Sequence, residues 1–337
     1  MGVTRRDLAI GAAAAAATAG VSPVQAQSYV DLTALSWADF DRRAVSGILN
    51  QADPVALPGY RLGFVVRNGI KSITTRGRAM SQTYDELAGL DLASARAIAD
   101  AALADFTEQV RATGRPVIGL DEIRAQPGYK ELKLAPIPWT GRIPADARTF
   151  AYVAPSNHDL FFINLDVPND QGAFGLTNGR AFNKVCAGLG AICATPTLVI
   201  DFAELTRSGG GAWSGDAGTA ARPGLFMPEL VTGGLFHFAR NAMAGGGNRS
   251  GLQKRVRLGQ AGEMVQTSSR NNQAEVAWWN SSAAMGTQGP GSPNSYAMAA
   301  YRYQIDPARF RDTVLTGARA LNRALAQALA ENRPRTR

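Results

Sequence analysis

Residues 60–123 read YRLGFVVRNGIKSITTRGRAMSQTYDELAGLDLASARAIADAALADFTEQVRATGRPVIGLDEI, and this stretch decides the fold. Arg61-Leu62-Gly63-Phe64-Val65-Val66 is almost unbroken in apolar character, which predicts a strand covered on both faces. From Asp91 onward, Ala95, Ile98, Ala99, Ala102, Leu103, Phe106 and Val110 recur at spacings of three and four, so one face of a helix carries them all. Asp91 is the expected N-cap, its carboxylate accepting from the unpaired N–H groups of the first turn, and Gly114 is the expected left-handed stop. Arg115-Pro116-Val117-Ile118-Gly119-Leu120 then predicts a second buried strand. The helix has an apolar face that needs a sheet to cover it.

Working outward, residues 28–50 predict a helix with Leu35, Phe40, Val45, Ile48 and Leu49 to one side, capped by Ser36 with Asp39 in the acidic third position. Pro54, Pro58 and Gly59 mark a linker. Ile70 to Ala88 holds a short strand and turn. Gln126 to Arg148, with Pro127, Pro136, Pro138 and Pro144, is expected to be an extended connection anchored by Trp139. Strands follow at Thr149 to Val153 and Leu160 to Val167, then a helix at Gly179 to Leu189 and a strand at Thr197 to Phe202. Ser208 to Pro223 is glycine-rich and reads as a mobile loop, and Met227 to Ala244 as an apolar helix. Arg255 to Leu258 and Glu263 to Ser268 read as strands paired through Gly259 to Gly262, with another strand at Ala274 to Trp279. Ala297, Ala299, Tyr301, Tyr303 and Ile305 alternate as a strand does, and Asp306-Pro307 opens a final helix striped by Phe310, Val314, Ala318, Leu321, Leu325 and Ala328. The expected fold is α/β: a mixed, largely parallel sheet flanked by helices, a three-layer-like single domain over 60–331 with Pro- and Gly-rich insertions. A mobile loop is expected at 206–224, a helix and linker at 27–59, and a basic tail at 332–337.

The first residues carry an export pattern. Thr4-Arg5-Arg6-Asp7-Leu8 precedes an apolar run from Ala9 to Val21 and then Val24-Gln25-Ala26, the three parts of a cleavable signal ending near Ala26. The Arg5-Arg6 pair resembles the twin-arginine variant. The apolar run is shorter than the roughly 20 residues a bilayer requires, and no later run is long enough, so the expected product is soluble and periplasmic or secreted. The formal net charge is +8, from 35 Lys and Arg against 27 Asp and Glu. Its basic residues are scattered apart from Arg333, Arg335 and Arg337, which argues against nucleic acid and leaves room for an envelope protein or an acidic envelope polymer as partner. Cys186 and Cys193 are the only cysteines. In one continuous helix they stand too far apart to bridge, whereas a bend at Gly188 and Gly190 permits a disulfide; a bridge and two buried thiols are both open.

No complete catalytic motif emerges. His158 and His237 are the only histidines, the first beside Asp159 in an expected loop, the second inside Leu235-Phe236-His237-Phe238. Ser214 has glycine three residues before it, which breaks the G-x-S-x-G pattern. No HExxH, paired CxxC, phosphate-binding loop or EF-hand spacing is present, so neither metal nor cofactor is assigned. Asp121, Asp166 and Asp201 follow expected strands, and ligands bind beyond the carboxyl ends of strands in open α/β sheets, so these three with His158 are the candidate catalytic residues. Turn and helix-cap roles are the bland reading of the same carboxylates. Trp139 and Trp278 are candidate walls of a ligand cavity.

The order of strand Tyr60 to Arg67, helix Asp91 to Thr113, strand Arg115 to Leu120, a helix ending in Gly188-Leu189-Gly190 and strand Thr197 to Phe202 resembles the domain of CsgG-like curli-assembly envelope proteins, over roughly Tyr60 to Leu205. That resemblance implies a non-enzymatic envelope assembly or regulatory factor. The chain departs from those lipid-anchored proteins at Gln27, where they carry the anchor cysteine, and in the Pro-rich insertion Gln126 to Arg148. The functional expectation is an exported binding or assembly factor. A periplasmic hydrolase using His158 or a carboxylate with a serine, and a small-ligand receptor, are the alternatives.

Overall fold

The computed structural model describes residues 29–43, 45–73, 79–142, 148–163, 172–209, 217–241, 245–271 and 295–334. The export pattern, Asp166, Ser214, Trp278, Trp279 and the strand expected at Ala274 to Trp279 lie outside the described residues.

The first described elements are 3-10 turns at Leu32–Ala34 and Trp37–Asp39 and a short helix α1 (Ser46–Leu49), where one helix was expected. The reciprocal Ser36–Asp39 capping box does form. Strand β1 (Val55–Ala56) interrupts the linker, and β2 (Arg61–Ile73) runs well past the apolar stretch into a hairpin with β3 (Ala79–Ala88). Helix α2 (Leu92–Ala112) has Asp91 accepting from the Ser94 N–H at 2.7 Å and Gly114 at φ +77. Ala95, Ile98, Ala99, Ala102, Phe106 and Val110 are buried along its face, with Leu103 partly so.

The second buried strand is corrected: only β4 (Val117–Ile118) forms, partly exposed, pairing with β1 alone among the described strands, and Gly119 starts α3 (Leu120–Ala125). The Pro-rich connection is built rather than extended, with Pro127 as the first residue of α4 (Pro127–Lys130), then β5 (Trp139–Arg142) and β6 (Thr149–Val153). Leu160 to Ile163 are buried but form no strand, because other groups take their carbonyls: Ala135 N–H bonds Leu160 O at 2.7 Å and Asn178 Nδ2 bonds Phe162 O at 2.9 Å. Helix α5 (Gly172–Leu189) turns through Gly190, φ +56, into β7 (Ile192–Gly209).

Much of the expected glycine-rich loop is strand, since β7 pairs antiparallel with β8 (Ala217–Met227) up to Gly209. The expected apolar helix is instead strand β9 (Gly233–Ala239), followed by β10 (Gly245–Gly251). Strands β11 (Val256–Gly259) and β12 (Gly262–Asn271) do not pair with each other: β11 joins β8, and β12 joins β13 (Ser295–Ile305). Helix α6 (Pro307–Glu331) closes the chain, with Asp306 accepting from the Ala308 and Arg309 N–H groups at 3.1 Å each.

The thirteen described strands form one hydrogen-bonded network with a main path β10-β9-β7-β2-β3-β13-β12. The network is mixed rather than largely parallel: β1/β4, β1/β7, β2/β7 and β3/β13 run parallel, and the other pairings run antiparallel. Alternate residues of β1, β7 and β9 feed two apolar clusters. Val55, Ile192 and Phe236 join Phe106 of α2 and Leu325 of α6, whereas Ala56, Cys193 and Leu235 join Phe182 of α5 and Tyr129 of α4. Helices α4 and α5 approach closely at Gly128, where an added Cβ would lie 2.5 Å from Ala181 O and 2.9 Å from Val185 N. Backbone atoms cannot swing aside, so Gly128→Ala is expected to cost about 1–3 kcal/mol in urea unfolding, as overpacking does. An unchanged midpoint would contradict this packing.

Candidate functional site

Strand β7 changes partners in mid-course, and the candidate site lies at the change. Thr197 to Ile200 pair with β2, Asp201 already faces Phe226 of β8, and the register shifts before Ala203. This puts a carboxylate where a strand leaves one partner for another. Asp201 is 1% exposed. Its Oδ2 lies 3.6 Å from Nη1 of Arg148, and its Oδ1 accepts from the Ala203 N–H at 3.4 Å. Burial raises its pKa, and the positive charges of Arg148 and Arg255 oppose that rise.

A second carboxyl belongs to the same group. Period-two alternation puts Ser81, Thr83 and Asp85 on one face of β3, and all three are buried. Thr219 of β8 shares hydrogen bonds of 2.8 Å with the hydroxyls of both Ser81 and Thr83. Asp85 has no such partner: both oxygens are buried without a hydrogen bond. Loss of hydration and then the charge of Asp201 push its pKa up to about 7. Two buried carboxyls that repel each other hold one proton more readily than two charges. The arrangement stores a proton. Among the described residues the hydroxyls of Ser81, Thr83 and Thr219 bond one another.

Along the same strands, Tyr29 stacks on Phe226 at 5.9 Å and donates its hydroxyl to Glu204 Oε1 at 2.5 Å, while the Arg255 guanidinium lies over the Phe226 ring, 5.7 Å from its centroid. Burial first, and then the bond to Glu204, push the Tyr29 phenol up to about 12.

The other sequence candidates do not join this group. Asp121 is exposed in the first turn of α3, where a negative charge suits the helix dipole. Ile118 is level with Ala56 and Cys193, and Asp201 lies eight residues farther along β7, about 26 Å of strand. The expected rim of converging carboxylates is therefore not assembled from Asp121 and Asp201.

His158 sits in the turn that closes with its N–H on Pro155 O at 3.0 Å. Acids and hydroxyls surround it, but they satisfy each other. Ser156 donates its hydroxyl to Asp100 at 2.7 Å, and Tyr129 donates to Asp159 at 2.8 Å, with Arg124 also on Asp159 at 3.3 Å. The Nδ1 atom of His158 is buried without a partner. Burial, then the Arg124 charge, lower its pKa. His237 is a packed residue: its Nε2 lies 2.5 Å from Asn183 Oδ1, its ring meets Phe182 edge-on at 5.2 Å, and burial lowers its pKa to about 4.

Cys186 and Cys193 are free and buried, facing each other across the α5–β7 turn. Burial raises the Cys186 thiol well above its ordinary value, with Cys193 as hydrogen-bond partner. Trp139 is packed against Tyr152 and Phe162 at 5.9 and 5.2 Å. No helix among the described residues is long and apolar enough to cross a membrane.

Sequence reasoning found Asp201 and missed Asp85, Arg148 and the hydroxyl ladder. The only available signal was the alternation Ser81, Thr83, Asp85, which in a strand ordinarily marks the solvent face. Comparison of the chain with models of protein families, with curated proteins and with solved structures finds no match to any of them.

Proposed function

We propose that the chain is an exported, envelope-associated binding or assembly factor that takes a partner's strand on the open edge of β12 and carries out no turnover. The single observation behind this reading is the character of that edge. Strand β12 ends the main strand path and pairs only with β13 among the described strands. Alternate N–H and C=O groups therefore point away from β13, a template for an added strand. Open edges are usually blunted by charge, and between Glu263 and Arg270 the sequence is Met264-Val265-Gln266-Thr267-Ser268-Ser269, with none. Val265 is 52% exposed. The register shift between Gln266 and Ser268 leaves Gly262 to Gln266 as a regular docking stretch. The apolar clusters on alternate residues of β1, β7 and β9 support a three-layer reading of that end of the sheet, away from this edge.

A lysine on the edge tests the reading. Val265→Lys replaces an exposed side chain, so its stability is expected within about 0.5 kcal/mol of wild type. Its capture of a partner from periplasmic extract, read by quantitative pull-down, is expected to fall roughly tenfold, a loss of about 1.4 kcal/mol. Equal capture by both proteins would count against strand addition. The hydrolase reading rests on the cluster about His158, and an esterase or phosphatase turnover abolished by His158→Ala would establish it in place of the first.

A further inference from the structure

At the opposite end of the strand path from β12, a cleft of about 680 Å³ opens between the turn Ala38–Arg43 and the chain at Leu230 and Arg249–Gln253. Its lining carries Arg42, Arg43 and Arg249 against the single acid Asp41. Arg42 and Arg43 are exposed, and their side chains make no hydrogen bond or ion pair among the described residues. The Arg249 guanidinium is already positioned, donating to Val231 O.

The walls are fixed by backbone. Asp41 N–H bonds Gly251 O at 3.0 Å, Gln253 N–H bonds Asp39 O at 2.9 Å, and Leu230 N–H bonds Leu252 O at 2.9 Å. Ser250 adds its hydroxyl to Asp41 O at 2.9 Å. Leu230 stands out on two counts. It is the one non-glycine residue with positive φ, +63, among the described residues, and it is 73% exposed. A leucine held in a left-handed conformation with its side chain in water is doubly unfavourable, and such strain gathers at ligand sites.

We propose that this cleft binds a phosphate-bearing amphiphile, with the phosphate between Arg42, Arg43 and Arg249 and the apolar part against Leu230. Guanidinium forks match phosphate oxygens two at a time, and three of them favour a dianionic group over a single carboxylate. The volume suits a small ligand or the head of a larger one. A lipid headgroup and a soluble phosphate ester share this chemistry. The proposal is independent of strand addition at β12, which lies at the other end of the sheet.

Titration of the full chain with n-octyl phosphate, inorganic phosphate and n-octyl glucoside tests it. Octyl phosphate is expected to bind saturably, roughly tenfold more tightly than inorganic phosphate, because it adds the apolar contact. Octyl glucoside is expected not to bind. Exchanging both Arg42 and Arg43 for serine, with folding checked by circular dichroism, is expected to weaken octyl phosphate by about tenfold or more. Leu230→Gly relieves the backbone strain and is expected to weaken octyl phosphate while leaving inorganic phosphate unchanged. Binding to phosphatidylglycerol vesicles that octyl phosphate displaces would assign the lipid source, and octyl phosphate binding without vesicle binding would assign a soluble ester. Absence of saturable octyl phosphate binding, or equal affinity in the folded double variant, would overturn the proposal.

Discussion

Replacing Asp85 with asparagine is expected to stabilise the protein at pH 8 by about 4 kcal/mol relative to any effect it has at pH 4. The carboxyl is buried, without a hydrogen bond, and its pKa rises from the ordinary 3.8 to about 7 in the folded chain. The folded state therefore holds this proton more tightly than the unfolded one. The contribution of Asp85 is most favourable below pH 4, falls as pH rises towards 7, and is constant above that. Asp201, raised in the same direction, slopes the same way. His237 slopes the other way, since its lowered pKa of about 4 makes stability fall as pH drops from 6.5. The diagnostic is thus the wild-type minus variant difference in urea unfolding across pH 4 to 8, where terms common to both cancel. A difference independent of pH would show that Asp85 is ordinarily ionised in the fold.

Asn322→Ala is expected to cost about 3 kcal/mol. Asn322 is fully buried on α6, where its Nδ2 donates to Ala102 O at 2.9 Å and to Asp105 Oδ2 at 2.8 Å, and its Oδ1 accepts from the Tyr60 hydroxyl at 3.1 Å. One amide thus ties α6 to α2 and to the residue that leads into β2. Removing it leaves a cavity, takes a donor from the Asp105 carboxylate and leaves a buried phenol hydroxyl with no acceptor. Tyr60→Phe in the same chain should recover part of the loss, because it removes that hydroxyl, so the double variant is expected to be less than additive. Urea unfolding of the two single variants and the double variant reads this directly. A cost below about 1 kcal/mol for Asn322→Ala, or full additivity, would contradict the network.

The parts of this fold that were legible in sequence are those whose signal is local. The stripes of α2 and α6, their caps at Asp91 and Asp306, and the alternation of β13 each depend on residues within a few positions of one another. Leu235-Phe236-His237-Phe238 misled because a short apolar run has no polar face to set its period; β9 is a strand covered on both sides, with Leu235 and Phe236 in different clusters. Gly209 and Gly218 suggested mobility, yet glycine tolerates strand geometry when a partner strand supplies the hydrogen bonds, as β7 and β8 do for each other. The burial of Asp85 was invisible for a related reason. Its polar face is covered by β8, whose Thr219 lies more than a hundred residues along the chain from Ser81 and Thr83. Asp201 was found because it ends an apolar run, but the reason offered, a rim shared with Asp121, was not the one the structure supplies.

Binding at the edge of β12 is the central claim, and site-specific photocrosslinking in cells that produce the protein tests it most directly. A photoreactive residue at Val265 or Ser268 is expected to give a discrete crosslinked product. The same residue at Glu108, on the exposed face of α2, is expected to give none. The Val265 product should disappear when Gln266→Pro breaks the regular strand of the docking stretch. Crosslinking at Glu108 but not at β12, or no product at any position beside a measurable hydrolytic turnover, would contradict the account.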